Sequence, residues 1–388
     1  MNRHQRNNQQ TAAASNRRLV IELLRRMGPL SQSQLTELTG LRGSTLSYIT
    51  RELLAADIVI DGGQRPSKTV GKKQRFLQIN PNFGWAIGME LTRGKARLIA
   101  IDASGQQLGT AELSDWRALE ELPQMLHAFL PSLAQQIQRD TDQLLGIGIG
   151  ISGIVDAPRG RLVRSTMFDS ADLDLAGIFH EAIGVPILVD HNANLAALAE
   201  NRVGAAREHS HFVQIVMNPS IEGEVVRFGA FGAALFLDGR LYRGVHSAAG
   251  EMDSGMAPLG VPNGTQKDLD CLTDEEAPLT DMLSELAKRL AHSVGHVVNL
   301  LDTSLVVLSA STPLRNAAFV HAVNAELSEK LIPIADRETR LVCSRLNPWS
   351  VGIGGAMAAI ESTLLDQPLQ QVLAMDPAVR MPATPGEE

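Results

Sequence analysis

Apolar residues recur at helical spacing near the start of the chain. Val20, Leu23, Leu24 and Met27 stand at i, i+3, i+4 and i+7, with Ser15 as the capping residue and Gly28-Pro29 as the stop. Ser31 caps a short second helix carrying Leu35 and Leu38, Gly40 breaks it, and Leu46, Ile49 and Leu53 mark one face of a third. Ile58-Val59-Ile60, a turn at Gly62-Gly63 and the alternating Phe76-Leu77-Gln78-Ile79 then predict two strands around a basic loop, Gly71-Lys72-Lys73-Gln74-Arg75. Three short helices with a Gly-containing turn between the second and third, followed by a two-stranded wing, predict a winged helix-turn-helix over residues 15–80. Residues 1–14 are polar and Gln/Asn-rich, and the expectation there is a disordered arm.

From Trp85 onward the period switches. Trp85–Glu90, Ala96–Ile101 and Leu108–Glu112 read as strands, a helix follows near 118–138, and Leu145–Gly150 reads as a buried strand. A second round starts near Phe212, with a strand at Leu235–Phe236, a long helix from about Asp281 to Leu301, a strand at Leu305–Leu308 and a final helix from about Gly354. The repeated α/β pattern predicts a duplicated lobe with a cleft between the halves. The first lobe is placed at 81–200 and the second at 201–388, the last helix folding back on the first lobe.

Charge changes this picture, because residues 1–80 hold 13 Lys/Arg against 5 Asp/Glu, while the remainder holds 22 against 38. The net charge of −8 therefore hides a cationic head on an acidic body, and a cationic head is drawn to phosphate backbones. On the third helix the outward residues are Arg42, Ser44, Thr45, Ser47, Tyr48 and Arg51; with Lys72 and Lys73 of the wing they are the candidate DNA contacts. The plainer alternative is a protein-interaction module with solvated charges. Cys271 and Cys343 are the only cysteines, and neither an apolar run of about 18 residues nor an apolar leader occurs, so the expectation is a cytoplasmic chain without a membrane partner.

The runs Gly146-Ile147-Gly148-Ile149-Gly150-Ile151-Ser152-Gly153-Ile154-Val155-Asp156, Val185-Pro186-Ile187 leading to Asp190-His191-Asn192-Ala193-Asn194, Leu237-Asp238-Gly239-Arg240-Leu241-Tyr242-Arg243-Gly244 and Ala248-Ala249-Gly250-Glu251 resemble the ROK family of sugar kinases and repressors. With the basic head, the chain is similar to the xylose and N-acetylglucosamine repressor branch of that family. The resemblance implies a two-lobed actin-like body of the sugar-kinase, RNase H-like kind, an effector bound between the lobes, and a homodimer or homotetramer. It marks Gly153, His191, Asn192, Glu251 and Ser254 as ligand-binding candidates.

Departures from the family pattern carry as much information. The family's kinases carry an Asp as general base where this chain has Asn192, and an uncharged amide cannot take a proton from a sugar hydroxyl. Met89-Glu90-Leu91-Thr92-Arg93-Gly94, Phe228-Gly229-Ala230-Phe231-Gly232 and Ser309-Ala310-Ser311 replace the small, Gly-rich phosphate loops, so ATP binding is not expected. Ser254 stands at the zinc-binding His of the family, and Cys271 alone cannot build a four-ligand site. The expectation is no catalytic residue, no cofactor and no metal. His292 and His296, spaced at i and i+4, read as a packed or solvated pair. Pro219–Glu224 is either a hairpin over the cleft or a surface insertion. The function expected is a DNA-binding repressor of carbohydrate-related genes that senses a sugar-like effector. The alternatives are an active sugar kinase with an appended DNA-binding domain, or a body that binds a protein partner.

Overall fold

A computed structural model of the chain describes residues 3–65, 74–222, 225–252, 261–262, 264–310 and 314–366. The N-terminal part consists of α1 (Arg3–Met27), β1 (Leu30–Ser31), α2 (Gln32–Thr39), α3 (Gly43–Ala55), β2 (Val59–Arg65) and β3 (Gln74–Ile79). Ser31 closes a capping box at α2: its Oγ accepts the Gln34 N–H at 3.3 Å, and Gln34 Oε1 accepts the Ser31 N–H at 2.9 Å. Gly40, at φ 65°, ends the helix in the left-handed conformation. Leu46, Ile49 and Leu53 are buried on one side of α3, against Val20, Ile21, Leu24 and Leu35. The strands pair antiparallel in the order β1-β3-β2, with Leu30 opposite Leu77 and Val59 opposite Ile79.

Two local expectations are corrected. The first helix reaches back to Arg3, through the stretch expected to be a disordered arm and past Ser15, which lies inside it instead of capping it. Residues 9–14 contain Gln and Ala and no Gly or Pro, so a helix nucleated by the buried Val20, Ile21 and Leu24 propagates backward at little free-energy cost. Leu38 and Met27 are exposed, because α2 buries Leu35 alone and Met27 sits on the last turn of α1.

The body begins with β4 (Trp85–Thr92), β5 (Lys95–Asp102), β6 (Gln107–Ser114), α4 (Leu122–Gln136) and β7 (Leu144–Ile151). It continues through β8 (Ile154–Asp156), β9 (Arg161–Ser165), β10 (Ser170–Leu173), α5 (Leu175–Ile183), β11 (Ile187–His191) and α6 (Asn192–Val203). The second half holds β12 (Phe212–Glu222), β13 (Val225–Leu237), β14 (Arg240–Tyr242), β15 (Val261–Pro262), α7 (Gln266–Thr273) and α8 (Asp281–Leu301). It closes with β16 (Leu305–Ser309), α9 (Ala317–Lys330), β17 (Arg340–Cys343) and α10 (Ser350–Asp366). The first main sheet runs β11-β7-β4-β5-β6 and the second β14-β13-β12-β16-β17. Each is a three-strand antiparallel meander extended by two parallel strands beside its first strand, so the duplicated pattern appears as one topology used twice. β12 and β13 pair out to Glu222 opposite Val225, which makes the Pro219 segment part of a long hairpin with an irregularity after Met217.

Helix α10 does not stay with the second half. The strand β7 alternates Ile with Gly: Ile147, Ile149 and Ile151 are fully buried on the face covered by α4 and α5, whereas Gly146, Gly148 and Gly150 face α10. A Cβ added at those three glycines would meet Ala359, Gly355 and Val351 respectively, so two residues of strand match four of helix, running in opposite directions. The spacing follows from the two rises, about 6.6 Å for two strand residues and about 6 Å for four helical ones. Gly88 of β4 lies against the Gly352 carbonyl in the same way. The outward residues of α10, among them Met357, Ile360 and Leu364, share one apolar cluster with the core of the N-terminal helices.

Gly148→Ala should therefore destabilise the protein by about 1–3 kcal/mol or more, because the methyl group meets backbone that has no rotamer to yield. Ser31→Ala, which removes one cap, should cost about 1 kcal/mol. Urea unfolding of the two variants checks the order.

Candidate functional site

Two regions carry the candidate residues. The first is the open face of α3. Arg42 stands at the N-cap with extended backbone and makes no capping bond, and Arg42, Ser44, Ser47, Tyr48 and Arg51 are all exposed, with Thr45 half-buried. The helix thus hides its Leu46, Ile49 and Leu53 stripe and turns a short, hydrogen-bonding, cationic face outward. The Arg51 guanidinium lies 5.7 Å from the Tyr48 ring centre, a cation–π contact that holds both arms upright. A hydrogen bond to Glu52 pushes the Tyr48 hydroxyl above its usual range, and Glu52 is in turn paired with Arg17 of α1 at 3.4 Å. Lys72 and Lys73 lie outside the described residues.

The second region is at the carboxyl ends of the parallel strands β7 and β11, the place where open α/β sheets bind ligands. His191 is opposite Ile151 in the ladder, and Gly153 follows two residues on, at φ 128°, pressed against Arg164 and Ser165 where a side chain would not fit. At the end of β11 the buried Asp190 is fully engaged. Its Oδ1 accepts the His191 N–H at 2.8 Å and the Asn194 amide at 2.7 Å, and its Oδ2 accepts Arg243 at 2.5 Å. Asn192 opens α6, and its Oδ1 accepts the Ala193 N–H at 2.8 Å.

The second half of the chain reaches this end of the sheet at two points. Arg243, after β14, is the partner of Asp190. Glu251 is held against β13 by a bridge to Gly232 and by the Gly250 carbonyl accepting the Ala233 N–H at 2.9 Å, and its Oε1 lies 3.7 Å from His191 Nε2. Gly232 is a glycine for a steric reason, since a Cβ there would come within 2.6 Å of the His191 ring. Burial pushes the His191 imidazole below its ordinary range, although Glu251 and Asp190 pull the other way, so the ring is neutral near pH 7. The structure thus gathers His191, Asn192 and Glu251 and sets Gly153 on the adjoining strand end. Ser254 lies outside the described residues.

Asp190 and Arg243 are the functional-site residues that sequence reasoning did not single out. Both stood inside quoted motifs, but no local spacing pairs them.

At the other places where the family holds phosphate, β4 and β5 form a tight hairpin. The buried Glu90 pairs with Arg97 at 2.6 Å, burial holding its carboxyl above the usual range despite that partner. Arg93 Nε donates to the Met167 carbonyl at 2.6 Å. The 228–232 run is part of the continuous strand β13. Ser309 Oγ accepts the Gln214 amide at 2.7 Å, and Ser311 is outside the described residues. His292 and His296 are exposed on α8 and meet edge to face, ring centres 4.6 Å apart. No helix among the described residues is long and apolar enough to cross a membrane.

Comparison with known proteins locates the arrangement. The model described as "ROK family" matches residues 86–272. A curated relative named xylose repressor, from Bacillus spizizenii, is 23% identical over 387 residues, spanning 90% of this chain and 96% of that one. Among solved structures, one described as a ROK family transcriptional regulator, homolog of E. coli MLC protein, aligns with a TM-score of 0.73 at 20% identity, covering 93% of this chain and 99% of that one. A ROK family glucokinase from Streptomyces griseus, in complex with glucose and AMPPNP, aligns with a TM-score of 0.58 at 17% identity, covering 70% of this chain and 98% of that one. The body therefore has the actin-like sugar-kinase fold, and the likeness to the regulator extends to the N-terminal helices.

Because the folded-state imidazole of His191 is depressed, its contribution to stability is present above the ordinary imidazole range and is lost as the pH falls and the unfolded chain takes up the proton first. Between about pH 8 and about pH 5, the stability advantage of the parent over His191→Gln should shrink in urea unfolding.

Proposed function

We propose that this chain, which carries a ROK family domain at residues 86–272, is a DNA-binding transcriptional repressor of carbohydrate-related genes, its kinase-like body serving as effector sensor and oligomerisation platform. The observation that carries this reading is the α3 face: Arg42, Ser44, Ser47, Tyr48 and Arg51 stand in solvent opposite a buried apolar stripe. With α2 and the β2–β3 hairpin, this face makes a winged helix-turn-helix whose third helix enters the major groove. Arg42 and Arg51 address base edges or phosphates, Ser44, Thr45 and Ser47 make short hydrogen bonds, and Lys72 and Lys73 of the wing take phosphate. A homodimer, or a homotetramer built from such pairs, sets two heads on half-sites about 34 Å apart or a multiple of that.

In the body, Gly153, His191, Asn192, Glu251 and Ser254 form the pocket for a sugar-like effector. A neutral His191 and a carboxylate 3.7 Å away can address the same hydroxyl, the ring donating and Glu251 accepting. Phosphoryl transfer is absent from this reading. Asn192 spends its amide oxygen on its own helix, and Asp190, the nearest carboxylate in the chain, has both oxygens occupied by N–H donors. The lost base, the Glu90–Arg97 pair and the strand at 228–232 also support a body without a nucleotide cofactor or catalytic residue. The repressor names of the relatives support the same direction.

DNA fragments selected from genomic DNA by the purified protein supply the operator. In gel shifts on that operator, Arg42→Ala and Arg51→Ala should each weaken binding by about 1–3 kcal/mol, and Lys72→Ala or Lys73→Ala should lower the salt slope by about one. Affinity unchanged in all four overturns the assignment of the reading face. Coupled ADP release should stay at background for common hexoses and amino sugars; turnover that disappears in Asn192→Ala would make the protein a kinase.

A further inference from the structure

Glu361 of α10 is shared between two guanidiniums from distant parts of the chain. Arg25, on the last turn of α1, places Nη1 3.0 Å from its Oε1, and Arg202, on the last turn of α6, donates to Oε1 at 2.9 Å and to Oε2 at 3.3 Å. The Arg25 side chain is only 9% exposed. Beside them Arg26 donates to the Arg207 carbonyl at 3.0 Å, and Arg207 donates back to the Arg26 carbonyl at 2.5 Å. Arg25, Arg26, Arg202 and Glu361 line a cavity of about 180 Å³ between α1, α6, α10 and the turn at Ser104-Gly105.

Burial favours a neutral Glu361, but the two arginines outweigh it and hold the carboxyl below its usual range. The Arg25–Glu361–Arg202 cluster therefore turns on the one carboxylate charge, beside the reciprocal Arg26–Arg207 bonds. Arg25 Nε and Nη1 make no well-aligned hydrogen bond, so the buried guanidinium is held by packing and by its ion pair with Glu361.

Helix α6 connects this junction to the cleft. Its first residue is Asn192, its last turn holds Arg202, and at about 1.5 Å per residue the two ends are some 17 Å apart. At the first end, Asp190 and His191 face Arg243 and Glu251 of the second half; at the other, Arg202 holds Glu361, which holds Arg25. Along its length α6 also touches α10 closely, Gly354 lying against the Leu195 carbonyl.

We propose that Glu361 and Arg202 are positioning residues for DNA binding: they set the orientation of the N-terminal head on the body according to the tilt of α6, so that the state of the cleft is read at the head through this shared carboxylate. The inference rests on the functional reading above for the meaning of head and cleft, but its geometry is independent of DNA. A change at one end of a stiff helix moves the other, and the head, packed on α10 through an apolar cluster and tied at its charged edge to Glu361, follows that movement by exchanging one ion-paired arrangement for another.

The test uses the full chain with Cys271→Ser and Cys343→Ser and spin labels at Glu37→Cys of the head and Gln136→Cys of the body, both exposed positions. Pulsed dipolar spectroscopy should give a single narrow distance for this parent. Glu361→Gln and Arg25→Met should each lose it to a broad distribution, and the double variant should be no broader than Glu361→Gln alone. Arg202→Met reads the same junction from its more exposed side should Glu361→Gln fail to fold. Arg243→Gln, at the far end of α6, should shift the distance in the parent and leave it unmoved in the Glu361→Gln background. A narrow, unshifted distance in folded Glu361→Gln or Arg202→Met overturns the positioning role, and an Arg243→Gln shift equal in both backgrounds overturns the relay. Neither outcome is read from operator binding, so a failed gel shift leaves these distances as they are.

Discussion

The body is organised by one close approach, that of α10 to the first sheet. Helix and strand meet backbone to backbone at Gly88 with Gly352 and Gly148 with Gly355, and on either side Gly150 leaves room for the Val351 side chain and Gly146 for Ala359. This contact brings a helix that follows the second half in sequence onto the first half of the body. It also presents Met357, Ile360 and Leu364 on the opposite side as the floor on which the N-terminal helices pack. Without it α10 would have neither a sheet to cover nor a head to carry.

From that contact the placement of the functional groups follows. Because α10 is held tightly, α6, which lies against it at Leu195, has its two ends fixed in different surroundings: a polar pocket at Asn192 and a charged junction at Arg202. The cross-cleft pairs, Asp190 with Arg243 and His191 with Glu251, are all on the first of these ends. Each pair joins a residue of the first half to one of the second, so an arrangement of these pairs is also an arrangement of the halves.

Much of this was legible in the sequence wherever the cause is local. The Leu46, Ile49, Leu53 period and the Ser31 cap specify α3 and α2; the long helix from Asp281 to Leu301 and the strands β4 to β7 appear where periodicity puts them. Asn192 was legible as a substitution of chemistry, because amide for carboxylate means the same wherever the residue sits. What stayed hidden was non-local or weakly patterned. The extension of α1 to Arg3 has no apolar period to reveal it and follows from the helix it joins. The small sheet of β8, β9 and β10 is built of segments too short and too polar to stand out. The pairs Asp190–Arg243 and Arg25–Glu361 join residues whose own neighbourhoods give no hint of each other. The Gly/Ile alternation in β7 was visible as a buried strand, but only the fold shows what its glycine side is for.

That alternation makes β7 a strand with two unlike surfaces. On the isoleucine side the requirement is volume, which Val or Leu can meet with modest repacking. On the glycine side the requirement is the absence of atoms, which no other residue meets. Tolerance to substitution along this strand should therefore rise and fall with every second residue, and a chain that drifts in evolution can rework the hydrophobic side freely while the path of its last helix stays where three missing side chains put it.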